Sequence, residues 1–225
     1  MLVKNWMSKN VVSIDENDSM QDATKLLKLN NISILPVMKK GKLVGVITDR
    51  DLKRASASDA TTLEVHELLY LLSTIQVKQI MTVDPITVPS DYTVEEAAEI
   101  LLKNKISGAP VVDKQGGVVG IITKADIFRV LVSLTGVGKR GIQVAIQIED
   151  LPGSIKGVAD VIRKFGGRMV SILTTYERAP KGFRNVYIRS FGIDRHQMDD
   201  LKDELMGKGT LLYIIDHREE KREIF

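Results

Sequence analysis

Residues 32–51 read ISILPVMKKGKLVGVITDRD, and residues 106–126 read ISGAPVVDKQGGVVGIITKAD. Each opens on Ile-Ser, runs through an apolar Pro-Val stretch, turns at glycine, and runs on through Gly-x-Ile-Thr-x-x-Asp. This is one pattern written twice, and it extends outward. Residues 3–40 align without gaps to 77–114, and after a one-residue insertion 43–54 align to 118–129. Met7 matches Met81, Ala23 matches Ala97, and Asn30 matches Asn104. Self-similarity at a fixed spacing marks a duplicated structural unit.

Each copy predicts the same elements. A short extended piece (Val11 to Ile14; Ile86 to Val88) leads to a helix opened by a capping box, Ser19-x-x-Asp22 or Thr93-x-x-Glu96. Ala23, Leu26, Leu27 and Asn30 recur at helical spacing, as do Ala97, Ile100, Leu101 and Asn104. An apolar strand follows, then a glycine turn at residues 40–42 or 115–117 and a second strand. That strand runs straight into a second helix. The unit is β-α-β-β-α, and one copy alone buries little core, so the two are expected to pack as a pair.

Between the copies, residues 57–76 predict a linker helix opened by Thr61-x-x-Glu64, with Val65, Leu68, Leu69 and Leu72 on one face. The expected domain plan is repeat 1 at 1–56, the linker helix at 57–76, and repeat 2 at 77–135. A flexible basic hinge at 136–141, a third domain at 142–217 and a solvated charged tail at 218–225 complete it.

Composition narrows the function classes. The chain has 225 residues, 44% hydrophobic and 27% charged, an ordinary globular balance. It has no cysteine, which removes disulfides, thiolate metal sites and cysteine nucleophiles. The 32 Lys+Arg against 29 Asp+Glu give a net charge of +3, without the concentrated positive field of a nucleic-acid binder. No apolar run approaches the roughly 18 residues that cross a bilayer, and MLVKNWMSKN lacks a signal-peptide core. The expected location is the cytoplasm, with no membrane or nucleic-acid partner.

The duplicated strand–Gly-x-x-Thr-x-x-Asp–helix signature, each copy preceded by a Pro-Val strand, resembles paired cystathionine-β-synthase (CBS) domains, the Bateman module. In that family a cleft between the two domains holds adenosine-containing ligands. Thr48 and Thr123 stand where a helix N-cap presents free N–H groups and a positive dipole end to phosphate. Asp51 and Asp126, one turn on, are suited to accept from two ribose hydroxyls. Arg50 and Lys124 lie in the same loops and can neutralise phosphate. Gly45 and Gly120 leave the strand backbone open to close approach. The resemblance implies that Ser13, Ile32, Thr87 and Ile106 line adenine pockets. Thr-x-x-Asp is also an ordinary capping box; its occurrence twice at equivalent positions is what favours a ligand site.

Beyond residue 141 the order is β-α-β-β-α-β, a ferredoxin-like sandwich. With Asp150-Leu-Pro-Gly153-Ser154 at the first strand–helix turn, it resembles an ACT domain. There Asp150 and the Gly153 and Ser154 backbone would hold the ammonium and carboxylate of an amino-acid effector. The full arrangement resembles the AcuB family of acetoin-utilisation proteins. The fold class is thus α/β (α+β): two packed CBS repeats followed by an ACT domain.

The function implied is a non-catalytic sensor and likeness to these families implies a homodimer. It binds AMP, ADP or ATP, with S-adenosylmethionine less favoured, and acts on an unidentified protein partner linked to acetoin or acetate metabolism. The alternatives are a nucleotide-hydrolysing enzyme using the same cleft, or a ligand-free dimerisation adaptor. His66, His196 and His217 stand apart from any nucleophile or metal-ligand motif, so no catalytic or metal residue is assigned.

Overall fold

The computed structural model describes the backbone of residues 1–59 and 73–225, and the chain divides into two compact units, Met1–Phe128 and Arg129–Phe225. The linker helix expected from Thr61, with its apolar face and His66, lies outside the described residues.

The first repeat comprises β1 (Ile14–Asp15), α1 (Met20–Leu29), β2 (Ile34–Lys39), β3 (Lys42–Thr48) and α2 (Asp49–Asp59). After α3 (Val77–Ile80) and β4 (Thr82–Val83), the second comprises β5 (Val88–Pro89), α4 (Val94–Lys103), β6 (Gly108–Val112), β7 (Val118–Thr123) and α5 (Lys124–Thr135). Both expected capping boxes form at α1 and α4. The shared asparagines close the same helices. Asn30 Nδ2 donates to the Leu26 carbonyl at 2.9 Å, and Asn104 Nδ2 to Ile100 at 2.8 Å. Each of these carbonyls also accepts the backbone N–H of the same asparagine, at 3.2 and 3.1 Å, so the side chain reinforces the last turn of the helix.

Each repeat is completed by the other repeat's opening segment. Val3, fully buried, belongs to the core of the second repeat with Val88, Ala97, Leu101, Val111 and Ile122. Val77, fully buried, belongs to the first with Ile14, Met20, Leu27, Leu35 and Ile47. Strand β4 pairs with β3 (Gly45 opposite Val83), and Ser8 bridges Ile121 of β7 in the same way. This assigns the two shared glycines a different purpose from the one expected. A methyl group on Gly45 would stand 2.6 Å from Met81 Sδ and 2.9 Å from the Thr82 carbonyl, and one on Gly120 would overlap Met7. The space above each strand is filled by the methionine of the other copy, not left for a ligand.

The second unit comprises β8 (Ile142–Glu149), α6 (Ser154–Lys164), β9 (Arg168–Thr175), β10 (Phe183–Phe191), α7 (Met198–Met206), β11 (Thr210–Asp216) and β12 (Lys221–Ile224). Its sheet runs β12-β11-β8-β10-β9 with every pairing antiparallel. Ile142, Val144, Ile146 and Ile148 alternate along β8 and pack with Val158 and Ile162 of α6, with Phe165 at its C-cap, and with Leu201 and Leu205 of α7. Period-2 burial on the sheet meets period-3.6 burial on the helices, as the pattern requires.

Two expectations change here. The tail read as a solvated charge run is a strand: Lys221–Ile224 pairs with β11, Tyr213 opposite Ile224 and Asp216 opposite Lys221. It is an edge strand, where charged side chains are the usual composition. Glu223 also finds Lys202 of α7 at 2.7 Å. The stretch 136–141, expected as a flexible hinge, is tied down. Val137–Lys139 is a 3-10 turn, and the Thr135 carbonyl accepts from Arg189 Nε at 2.8 Å and Ser171 Oγ at 3.1 Å. Arg189 is buried with no carboxylate partner among the described residues, and burial lowers its pKa. The negative end of α5 is the compensating charge.

Asp216 closes the β11–β12 turn. Burial pushes its carboxyl up, but the Arg195 guanidinium at 2.6 and 3.0 Å and the Arg218 and Glu219 amides outweigh that and hold it below the usual aspartate range. A carboxyl whose folded pKa is depressed stabilises fully above its unfolded value of about 3.9 and loses that contribution as pH falls through the folded value. Asp216→Asn is expected to cost about 2 kcal/mol at pH 7, with the gap between wild type and variant narrowing at pH 3. Urea melts at both pH values check this; an equal gap at pH 3 contradicts it.

Candidate functional site

The Thr-x-x-Asp motif closes on itself in both repeats. Thr48 caps α2: its Oγ1 donates to Asp51 Oδ2 at 2.7 Å, its N–H to the same oxygen at 3.0 Å, and the Asp51 N–H returns to Thr48 Oγ1 at 3.3 Å. Thr123 and Asp126 repeat this on α5 at 2.7, 2.8 and 3.3 Å. Each carboxylate stands at the positive end of a helix, where negative charge is favoured. Both are buried. Asp51 keeps its second oxygen toward Arg54 Nη2 at 3.1 Å. Capping therefore fixes the orientation of Asp51 and consumes one oxygen of the two.

What lifts the first motif above a plain cap is the space beside it. A cavity of about 320 Å³ is lined by Thr48, Arg50 and Asp51 from the first repeat and by Ile106, Ser107, Gly108 and Pro110 from the second. Ile34 and Val46 form apolar wall, and the segment Thr82 to Ile86 supplies Asp84 and Pro85. The cavity thus brings together four expected residues, Thr48, Arg50, Asp51 and Ile106, from two repeats far apart in sequence. Thr87 stands immediately after the lining residue Ile86. Thr123, Lys124, Asp126, Ser13 and Ile32 do not line this cavity; Ile32 is half-buried against the first repeat's core.

Asp84, Lys105 and Ser107 were not singled out from the sequence. They sit in connecting loops whose neighbours are set by the packing of one repeat on the other. The available signal was the repeat alignment, since Ser107 is part of the shared Asn-x-Ile-Ser.

At the turn in the second unit, Asp150 is already ion-paired with Arg184 of β10, whose guanidinium also lies 5.6 Å over the Tyr176 ring. Its carboxylate is thus neutralised rather than waiting for an effector's ammonium group. Ser154 Oγ donates to the Leu151 carbonyl at 2.9 Å, while Gly153, at φ 88°, faces open space. His196 is exposed. His217 lies 3.5 Å from Gln143 Oε1, and burial, then the Arg189 and Arg222 charges, lower its pKa. Among the described residues no group of three His, Asp or Glu is placed to hold a metal, and no helix is long and apolar enough to cross a membrane.

Two interlocked β-α-β-β-α repeats meeting at a polar cleft define a tandem-repeat module. The chain belongs to the CBS domain family, whose model matches residues 3–58 and 77–133. It is 35% identical to a CBS domain-containing protein of Dictyostelium discoideum over 60% of this chain and 93% of that one. It is 34% identical to the inosine-5′-monophosphate dehydrogenase of Korarchaeum cryptofilum over 56% of this chain but only 23% of the enzyme. Among solved structures, the CBS domain pair of protein MJ0100, in complex with 5′-methylthioadenosine and S-adenosyl-L-methionine, is 36% identical at a TM-score of 0.50. That match covers 58% of this chain and 99% of the other.

Proposed function

We propose that this protein is a non-catalytic sensor that binds an adenosine-containing ligand in the cleft between its CBS repeats. The observation that carries the reading is the convergence of Thr48, Arg50 and Asp51 with Ile106 on one cavity. Apolar side chains there suit a purine, Asp51 suits ribose hydroxyls, and the helix start with Arg50 suits phosphate. The MJ0100 pair supports the ligand class, since it is seen in complex with 5′-methylthioadenosine and S-adenosyl-L-methionine, both adenosine derivatives. Ligand would act by population shift, favouring whichever arrangement of the module it binds more tightly.

The β-α-β-β-α-β order of the second unit supports reading it as an ACT domain that pairs with a second copy and receives a small effector. With Asp150 committed to Arg184, the open backbone at Gly153 is the part of that turn left to meet one. The likeness of the domain order to the AcuB family is the support for a regulated partner in acetoin or acetate metabolism.

Calorimetric titration of the nucleotide-free full chain with AMP, ADP, ATP and S-adenosylmethionine tests the reading. Saturable binding to at least one is expected, weakened at least tenfold in Asp51→Asn, with circular dichroism confirming that the variant is folded. Absence of heat with all four ligands refutes it.

A further inference from the structure

The sheet of the second unit has one face packed under α6 and α7 and an opposite face that neither helix reaches. Strand register sorts the side chains between the two, since directly opposed residues share a face. Ile224 of β12 stands opposite Tyr213, Tyr213 opposite Ala145, Ala145 opposite Tyr187, and Tyr187 opposite Leu173. These five make one unbroken row across all five strands, on the face turned away from the helices. The Tyr187 and Tyr213 rings lie 6.3 Å apart, inclined at 35°, and flank Ala145, which is fully buried. The neighbouring row is Thr210, Gln147, Asn185 and Thr175, in which Gln147 Nε2 donates to Asn185 Oδ1 at 3.1 Å. A third row, with Gln143 and Arg189, is the border where the end of α5 is tied down. The first two rows contain no charged residue.

A solvated sheet face ordinarily carries polar and charged side chains. The helical side of the same unit does: Lys156, Asp160 and Arg163 pair on α6, and Asp199 and Lys202 on α7. Ile224 departs furthest from that rule. It is the one apolar residue of β12 and is 82% exposed. Its register sets it at the end of the aromatic row, while Glu223 turns to Lys202 on the other side. Tyrosine enrichment with depletion of charge is the compositional mark of a protein–protein interface.

We infer that this face is covered by the same face of a second copy of the chain, the two sheets stacked about 10 Å apart. The inference rests on the reading above that the second unit pairs with a second copy, and it names the surface. Two features select the occupant. Amides and tyrosine hydroxyls both donate and accept, so the face is complementary to itself across a two-fold axis, and its two neutral rows meet no repulsion from an identical copy. The size suffices as well. Five strands about 4.8 Å apart and three rows about 7 Å apart give roughly 500 Å² per copy, or about 1,000 Å² in all, where specific interfaces begin.

Sedimentation equilibrium of the full chain tests this, with Tyr187→Glu, Ile224→Glu and, as a control at an exposed position of the β8–α6 turn, Leu151→Glu. Each carboxylate placed in the contact would be buried without a partner. Wild type is expected as an even-numbered assembly and Tyr187→Glu at half its mass. Ile224→Glu, at the rim, should dissociate at least tenfold more readily, and Leu151→Glu should match wild type. Circular dichroism checks that Tyr187→Glu is folded; Ile224 is exposed enough for its substitution to leave the fold intact, so it decides the matter alone if Tyr187→Glu is not. An Ile224→Glu variant that assembles as tightly as wild type overturns the inference while leaving pairing through another surface standing, as does equal weakening by Leu151→Glu. A monomeric wild type overturns the pairing reading instead, and this inference with it.

Discussion

Deletion of residues 1–8 is expected to destabilise the second repeat by about 4 kcal/mol, although that repeat begins some seventy residues later. The segment buries Val3 completely, worth about 2 kcal/mol for a valine side chain. It also makes backbone bonds from Val3 N–H to the Tyr92 carbonyl at 2.8 Å, from Lys4 to Ser90 at 3.1 Å, and both ways between Ser8 and Ile121 at 2.9 and 3.0 Å. Each contributes about 1 kcal/mol net at most. Against a typical domain stability of about 5–15 kcal/mol, the loss is large. It also removes Met7 from the space over Gly120. Hydrogen exchange reads the outcome: amides of 108–123 should lose protection more than those of 34–48. Equal protection of 108–123 with and without the segment would refute the exchange of opening segments as a source of stability.

Gly141→Ala should be nearly as damaging, by about 3 kcal/mol, while Gly138→Ala three residues earlier should be neutral or slightly stabilising. A methyl on Gly141 would overlap the Ser190 carbonyl oxygen, a backbone atom of β10 that cannot swing aside, and the Gly141 carbonyl accepts from the His217 N–H at 3.2 Å. A methyl on Gly138 meets nothing within 4 Å. Were residues 136–141 a free hinge, both substitutions would be tolerated alike. Thermal melts of the two variants decide between a tether and a packed connection, and equal Tm values would restore the hinge.

The contrast between those glycines shows where the sequence was legible. Local signals were strong: Ser19 and Thr93 cap the helices they precede, Asn30 and Asn104 close them, and the glycine turns join the expected hairpins. Alternation in Ile142 to Ile148 revealed a half-buried strand. What escaped was non-local. Gly45 and Gly120 look like room for a ligand until Met81 and Met7, distant in sequence, are found above them. The strand at Lys221–Ile224 has one apolar residue among charges, so no periodicity announces it; its partner β11 makes it a strand. In the candidate site, Thr48, Arg50 and Asp51 were visible because they share a motif, and Ile106 because of a family resemblance. Lys105 and Asp84 were hidden because only packing brings their loops to the same cavity as Arg50.

The reciprocal lodging of each opening segment on the opposite repeat carries a historical consequence. A free-standing ancestral repeat could have satisfied the same contacts only by trading its first residues with a twin, methionine over glycine across a two-fold axis. Joining two such copies in one chain turns an enforced likeness into a tolerated one, because one gene no longer has to furnish both sides of the axis. Arg50, Lys105 and Asp84 opposite Ala125, Asn31 and Asn10 are what that release permits: a symmetric frame whose two halves no longer carry the same charges.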